Sequence, residues 1–221
     1  MLKLLFFIFV FVPAITGCII LYRFMTKFDR GIERQLRAWA QASGGTYWKG
    51  FAKDRPLHGL LFDCDSISAY IRHDIAYSDG TEIGQAHFTV NQQDEILFDF
   101  ASVPFTKYPS LWLVIDSRKN NIIGRSLMDT VNVSQKLESI VLEGNFPDAY
   151  KVYLNKGQQI DALVALNPAS MEKLLDMFER YDMEICSNRL FIYATGTDAF
   201  YHAEGRDRMV HDIKALAAIL Q

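Results

Sequence analysis

Asp63 and Asp65 flank Cys64, and on a strand their carboxylates would share one face. Paired carboxylates can divide acid and base work, one holding a proton while the other accepts one. Nothing in the neighbouring pattern marks a substrate cleft for them. Ser170-Met171-Glu172-Lys173 has the Ser-x-x-Lys spacing of penicillin-recognising enzymes, whose nucleophilic serine lies near a helix start. Its companions are missing: no Ser-Asp-Asn or Lys-Thr-Gly follows, and Ala194-Thr195-Gly196 lacks the lysine. Ser170 therefore reads as a helix-capping serine beside a solvated lysine.

His73-Asp74 and His211-Asp212 have the dipeptide used by metal-dependent phosphohydrolases, which also need two further converging ligands. His73 and Asp74 fall on a predicted strand, where neighbours point to opposite faces and cannot easily chelate one ion. No metal site is expected, and no cofactor. No Gly-x-Gly-x-x-Gly or Walker loop occurs, and Gly124-Arg125-Ser126 is too short to cradle a phosphate. Asn132-Val133-Ser134 is a glycosylation sequon only in a secreted eukaryotic chain. Two polar groups remain as candidate binding surfaces. Asp116, Arg118 and Asn121 sit where the most apolar strand runs abruptly into polar residues, and Arg72, Asp74 and His87 sit on the expected polar face of a hairpin.

These groups must be positioned by a chain of 221 residues with 50% hydrophobic and 22% charged content, which is ordinary for one globular domain plus one membrane segment. A net charge of −3 without a clustered cationic face gives no case for nucleic acid. Three cysteines, Cys18, Cys64 and Cys186, make no disulfide framework and mildly favour a reducing compartment; a bridge between Cys64 and Cys186 stays open.

Leu4 to Tyr22 carries no charge, and a helix of about twenty apolar residues spans a bilayer core. Pro13 and Gly17 are tolerated in such a helix, Tyr22 suits the interface and Arg23 can snorkel. Lys3 and the terminal amine precede the run, whereas Arg23, Lys27, Arg30, Arg34 and Arg37 follow it. The positive-inside rule then places the carboxy-terminal domain in the cytoplasm, on a single-pass anchor whose membrane contact is lipid along residues 4–22. Ile15-Thr16-Gly17-Cys18 supports an alternative, a lipobox in which Cys18 is lipidated on an exported envelope lipoprotein, although the apolar run continues past it. A conventional cleaved signal lacks an Ala-x-Ala-like site.

From Asp29 the pattern is helical, with Ile32, Leu36, Trp39 and Ala40 on one face, ending at Gly44-Gly45. Thr46 to Ala52 and Leu57 to Phe62 read as short strands. Asp79-Gly80 predicts a two-residue type I′ hairpin turn, with Ile75 opposite Gly84 and with Asp74-Gln85 and Arg72-His87 on the wet face. Asp94 to Ser102 follows as a third antiparallel strand, then Leu111 to Ile115 as a strand buried on both sides. Leu137 to Glu143 and Tyr150 to Leu154 are further strands. A helix at 168–180 is capped by Asn167, and Met183 to Tyr193 is a hairpin turning at Ser187-Asn188. Arg206 to Leu220 forms a terminal amphipathic helix.

Leu36-Arg37-Ala38-Trp39-Ala40, Gly44-Gly45-Thr46-Tyr47, Leu113 to Asn121, Leu142-Glu143-Gly144-Asn145-Phe146, Asp161-Ala162-Leu163 and Tyr181 to Ile185, in that order, resemble a family of uncharacterised membrane-anchored bacterial proteins. The resemblance implies architecture and bacterial origin, and no activity. In the middle of the chain the Asp79-Gly80 hairpin replaces the family's longer glycine-rich segment. The sequence thus predicts an α+β fold on a mainly antiparallel sheet, divided into a transmembrane anchor at 1–25, a basic juxtamembrane helix at 26–45 and a soluble domain at 46–221. The expected function is a non-enzymatic binding or scaffolding module with a protein partner, ahead of the lipoprotein and of an unrecognised hydrolase.

Overall fold

The computed structural model describes residues 2–50, 58, 59, 62, 67–90, 94–120, 128, 137–195 and 199–221. The anchor and the basic helix expected as two segments are one unbroken helix, α1 (Leu2–Ala42). In α1, side chains are described from Ala14 onward, together with Phe11. Among the described residues no helix is long and apolar enough to cross a membrane. Leu36 and Ala40 are 1% exposed against the domain, with Ile32 and Trp39 partly buried beside them, which is the apolar face the spacing predicts.

The sheet is antiparallel throughout, and its described part has nine strands in the order β1-β2-β3-β4-β9-β8-β5-β7-β6. These are β1 (Gly45–Lys49), β2 (Ile67–Tyr77), β3 (Glu82–Val90), β4 (Asp94–Pro104), β5 (Leu113–Ser117), β6 (Glu138–Ile140), β7 (Tyr150–Leu154), β8 (Asp182–Cys186) and β9 (Arg189–Thr195). Short helices α2 (Phe146–Ala149) and α3 (Gln159–Ala165) precede α4 (Pro168–Met177), and α5 (Ala203–Leu220) closes the chain. Asn167 caps α4 by accepting the Ser170 amide at 3.1 Å, a contact worth about 1 kcal/mol. Ser170 is thus inside the helix rather than its cap, and its hydroxyl reaches the Ile219 carbonyl of α5.

Both faces of the sheet are covered, so its strands are apolar on both sides. One face packs on α1, α4 and α5 through Ile75, Ile83, Leu113, Ile115 and Ile192. The other carries Ile71, Phe98, Phe100, Phe191, Tyr193 and Val114, with Phe62, Met128 and Leu137 packed there. This double burial is why all five residues of β5 are buried.

The Asp79-Gly80 hairpin has a different register from the one expected. A type I′ turn needs positive φ at both central residues, but among the described residues only Gly80 has it there, at 82°. Gly80 donates to the Tyr77 carbonyl and Tyr77 donates to Thr81, making a type I turn closed by a glycine bulge. Ile75 therefore faces Ile83, Asp74 faces Gly84, and a second irregularity at Arg72 brings Ile71 opposite Ala86. Gly84 is fixed by crowding, since a Cβ there would lie 2.6 Å from the His73 carbonyl oxygen and from the Phe100 ring. The second hairpin keeps its expected register, with Ile185 opposite Leu190, Met183 opposite Ile192 and positive φ at both Ser187 and Asn188. Of the expected strand at Leu57 to Phe62, the described residues 58, 59 and 62 form a bend and a turn.

Candidate functional site

β5 delivers Asp116 to the sheet face away from the helices, where β8, its neighbour in the sheet, delivers Asp182. Both are buried, at 1% and 0% exposure. Asp182 accepts the Ser117 amide at 2.7 Å through Oδ1 and the Asn120 amide at 2.7 Å through Oδ2. Asn120 donates also to the Tyr193 carbonyl, and its own Oδ1 accepts the amide and hydroxyl of Thr195 at 2.9 and 2.7 Å. The chain leaving β5 is thereby sewn to β9. Burial, and next the charge of Asp116, raise the Asp182 carboxyl well above its ordinary value. Two carboxylates this close do not ionise together, so the pair holds a proton.

Asp116 is thus brought together with two residues the sequence reading missed, Asp182 and Asn120. Their signal was present in the alternation of Asp182 and Glu184 with Met183 and Ile185 along β8, but only β5–β8 pairing turns it into a site. Arg118 lies outside the cluster, exposed, with its Nε donating to the Pro147 carbonyl at 3.0 Å. It lines a cleft of about 300 Å³ with Lys151, Tyr153, Ile140, Leu142 and Phe146, two cations beside an apolar floor. Asn121 lies outside the described residues, as do Asp63, Cys64, Asp65, the 124–126 segment and the 132–134 sequon.

The hairpin trio is dispersed. Arg72 pairs with Asp29 of α1 at 3.3 Å and reaches the Tyr201 hydroxyl at 3.4 Å. Asp74 is buried opposite Gly84, and His87 lies opposite Tyr70. Of the expected wet face, Arg72 and Gln85 turn to the helices, whereas Asp74, opposite Gly84, turns with Ile71 and Ala86 toward the second core. Next to it, on the helix-covered face, His73 Nδ1 and the Tyr47 hydroxyl are 2.9 Å apart, Gln85 donates to Asp99 at 3.0 Å, and Tyr201 donates to Gln85 at 2.5 Å. Burial, with the Arg72 charge next, lowers His73 from 6.5 to about 4, and burial pushes Tyr47 up to about 12.

His211 and Asp212 are 3.3 Å apart, and Asp212 is already held by Arg180 and Tyr181. Among the described residues no group of three or more His, Cys, Asp or Glu could hold a metal ion. Cys186 is a buried thiol that donates to the His58 carbonyl, and Cys18 is exposed on α1. A second cleft of about 250 Å³ lies beside Trp112, Asn155 and Cys186.

No family model and no curated protein matches the sequence. The family its motifs resemble is therefore not shown. Among solved structures, the fold is similar to the crystal structure of the mycobacterial trehalose monomycolate transport factor A, with a TM-score of 0.52 and 12% identity. The match covers 87% of this chain and 97% of that one, so the two share an α+β fold over nearly their whole lengths.

Proposed function

We propose that this chain is a membrane-tethered, non-enzymatic binding or scaffolding factor of the bacterial envelope that serves the movement of an envelope component. The fold likeness to a transport factor over nearly all of both chains is the observation that carries the reading. Two features support it. The buried Asp182 carboxyl is committed to the Ser117 backbone amide and the Asn120 side chain. α1 leaves the domain as a helix whose uncharged residues 14–22 are all exposed, among them Ile15, Ile19, Ile20, Leu21 and Tyr22, and an all-round apolar helix belongs in lipid. The cleft holding Arg118 and Lys151 is the docking surface for a protein partner, with the domain on the cytoplasmic side.

The test begins with carbonate extraction of the full chain from membranes, where retention is expected and release overturns the tether. A cysteine placed at Lys119, with the native cysteines replaced by serine, stays unlabelled from outside intact cells. Labelling there reverses the topology, and a mass change on Cys18→Ala would substitute the lipoprotein. Arg118→Ala leaves the unfolding midpoint unchanged and abolishes co-purification of the partner; unchanged co-purification removes the cleft as the docking surface.

A further inference from the structure

Beyond the tether itself, the side chains of α1 fix where the membrane surface lies along it. Arg23, Lys27, Arg30, Arg34 and Arg37 are all exposed and recur at i, i+4, i+7, i+11 and i+14. At about 100° per residue they fall within an arc of about 80° on the helix. The two acids of the same stretch are turned the other way. Asp29 holds Arg72 at 3.3 Å and Glu33 holds Lys49, both in the domain, so no acid interrupts the cationic face.

For Arg34 and Arg37 the opposite face, through Leu36 and Ala40, packs on the domain, and a solvated cationic face needs no further cause. That explanation fails at Arg23 and Lys27. Opposite them stand Phe24, Met25 and Phe28, which are 67%, 58% and 62% exposed, with no domain surface over them among the described residues. Cations on one side and large apolar residues on the other, along a helix exposed all round, are the pattern of a segment at the headgroup boundary.

We infer that the apolar environment of α1 extends to Phe28, and that Arg23, Lys27, Arg30 and Arg34 form a band binding the headgroups of anionic lipid. The inference rests on the membrane tether proposed above. Arg23 and Lys27 snorkel outward from below Phe28, while Arg30 and Arg34 lie about 3 and 9 Å beyond it, within a screening length of about 8–10 Å. Arg37 lies about 13 Å beyond Phe28, outside that reach, with its guanidinium 5.3 Å from the Tyr47 ring centroid. Packing of α1 on the domain begins at Asp29 and Ile32, so the domain sits against the bilayer with the Asp29, Arg72 and Tyr201 contacts at its membrane-facing rim.

The full chain is reconstituted in vesicles of phosphatidylcholine, with or without one third replaced by phosphatidylglycerol, and the association of spin-labelled phosphatidylglycerol is compared with that of spin-labelled phosphatidylcholine. A preference of about five-fold or more for the anionic lipid is expected. It falls to parity when Arg23, Lys27, Arg30 and Arg34 are all changed to Gln, and persists in Arg37→Gln. Parity in the native chain, or a preference that survives the four substitutions, overturns the band. A preference lost only with Arg37→Gln overturns it in favour of a protein partner higher on the helix. Carbonate release from both kinds of vesicle overturns the tether as well, whereas retention without lipid preference overturns the band alone.

Discussion

The two faces of the sheet bury polar groups by opposite means. Under the helices, His73, Tyr47, Gln85, Asp99 and Tyr201 form a network of mostly neutral groups, in which Asp99 also accepts the Phe200 amide at 3.0 Å. On the other face Asp116, Asp182 and Glu184 are all acids, each 1% exposed or less. There Glu184 accepts the Trp112 indole at 2.8 Å and the Tyr193 hydroxyl at 2.7 Å, and Asp182 accepts two amides. In the first a histidine is kept deprotonated, and in the second the Asp182 carboxyl is kept protonated. Each is satisfied only over a limited pH range, the first failing as pH falls and the second as pH rises.

The largest effect comes from removing the hub of the acid cluster. Asp182→Ala leaves the Ser117 amide and one Asn120 bond without their acceptor inside the core. A loss of about 3 kcal/mol is expected, read from the denaturant midpoint in mildly acidic buffer. The loss shrinks as pH rises through the raised folded value of Asp182, where the native chain is itself penalised. A cost under about 1 kcal/mol at every pH would mean that Asp182 is not the hub.

Titration breaks the comparison in two directions. His73 has its folded pKa depressed from 6.5 to about 4, so between these values the unfolded chain binds a proton that the folded chain refuses. Stability from this group is complete above pH 6.5 and declines as pH falls toward 4, by up to about 3 kcal/mol. Asp79, held low by Lys214, titrates below 3.8 and does not overlap this window. His73→Gln is expected to flatten the acid limb. Asp182 has its folded pKa raised, so its contribution is complete below 3.8 and lost as pH rises through the folded value. Asp116→Asn removes the neighbouring charge, leaving burial alone to raise Asp182, and so shrinks that decline without touching the acid limb. Melting curves across pH for the two variants would merge the clusters if either one flattened both limbs.

How much of this was legible follows from sequence distance. β7 and the turn at Ser187-Asn188 were readable because their signals are local. At Asp79-Gly80 the same dipeptide fits two turn types, and the choice was made by Asp79, whose carboxylate accepts the Thr81 amide at 2.9 Å. α3 escaped periodicity because its large residues face outward: Ile160, Leu163 and Val164 are exposed while Ala162 and Ala165 are buried. The acid pair joins residues from strands far apart in sequence, and no local pattern contains that pairing. The hairpin's polar face was misread for the complementary reason, since Asp74 looks solvent-facing until a second layer, with Phe62, Met128 and Leu137 in it, covers that side of the sheet.

The smallest test uses two phenol hydroxyls, one in each network. Tyr47 meets His73, a neutral imidazole at neutral pH, whereas Tyr193 donates to the Glu184 carboxylate, which also holds Trp112. A hydrogen bond to a neutral acceptor contributes about 1 kcal/mol net, and one to a charged acceptor about 1.5–3. Tyr193→Phe should therefore cost about twice as much as Tyr47→Phe at neutral pH, the rings being retained in both. The ratio should widen in acid, because Tyr47→Phe also removes the hydroxyl beside His73 and so makes its protonation less costly. If the two substitutions cost the same at neutral pH, Glu184 is held neutral like the Asp116 and Asp182 pair, and the whole far face stores protons rather than charge. That result would turn the contrast between the faces into one of proton occupancy alone, readable as a larger alkaline loss of stability than the aspartate pair produces by itself.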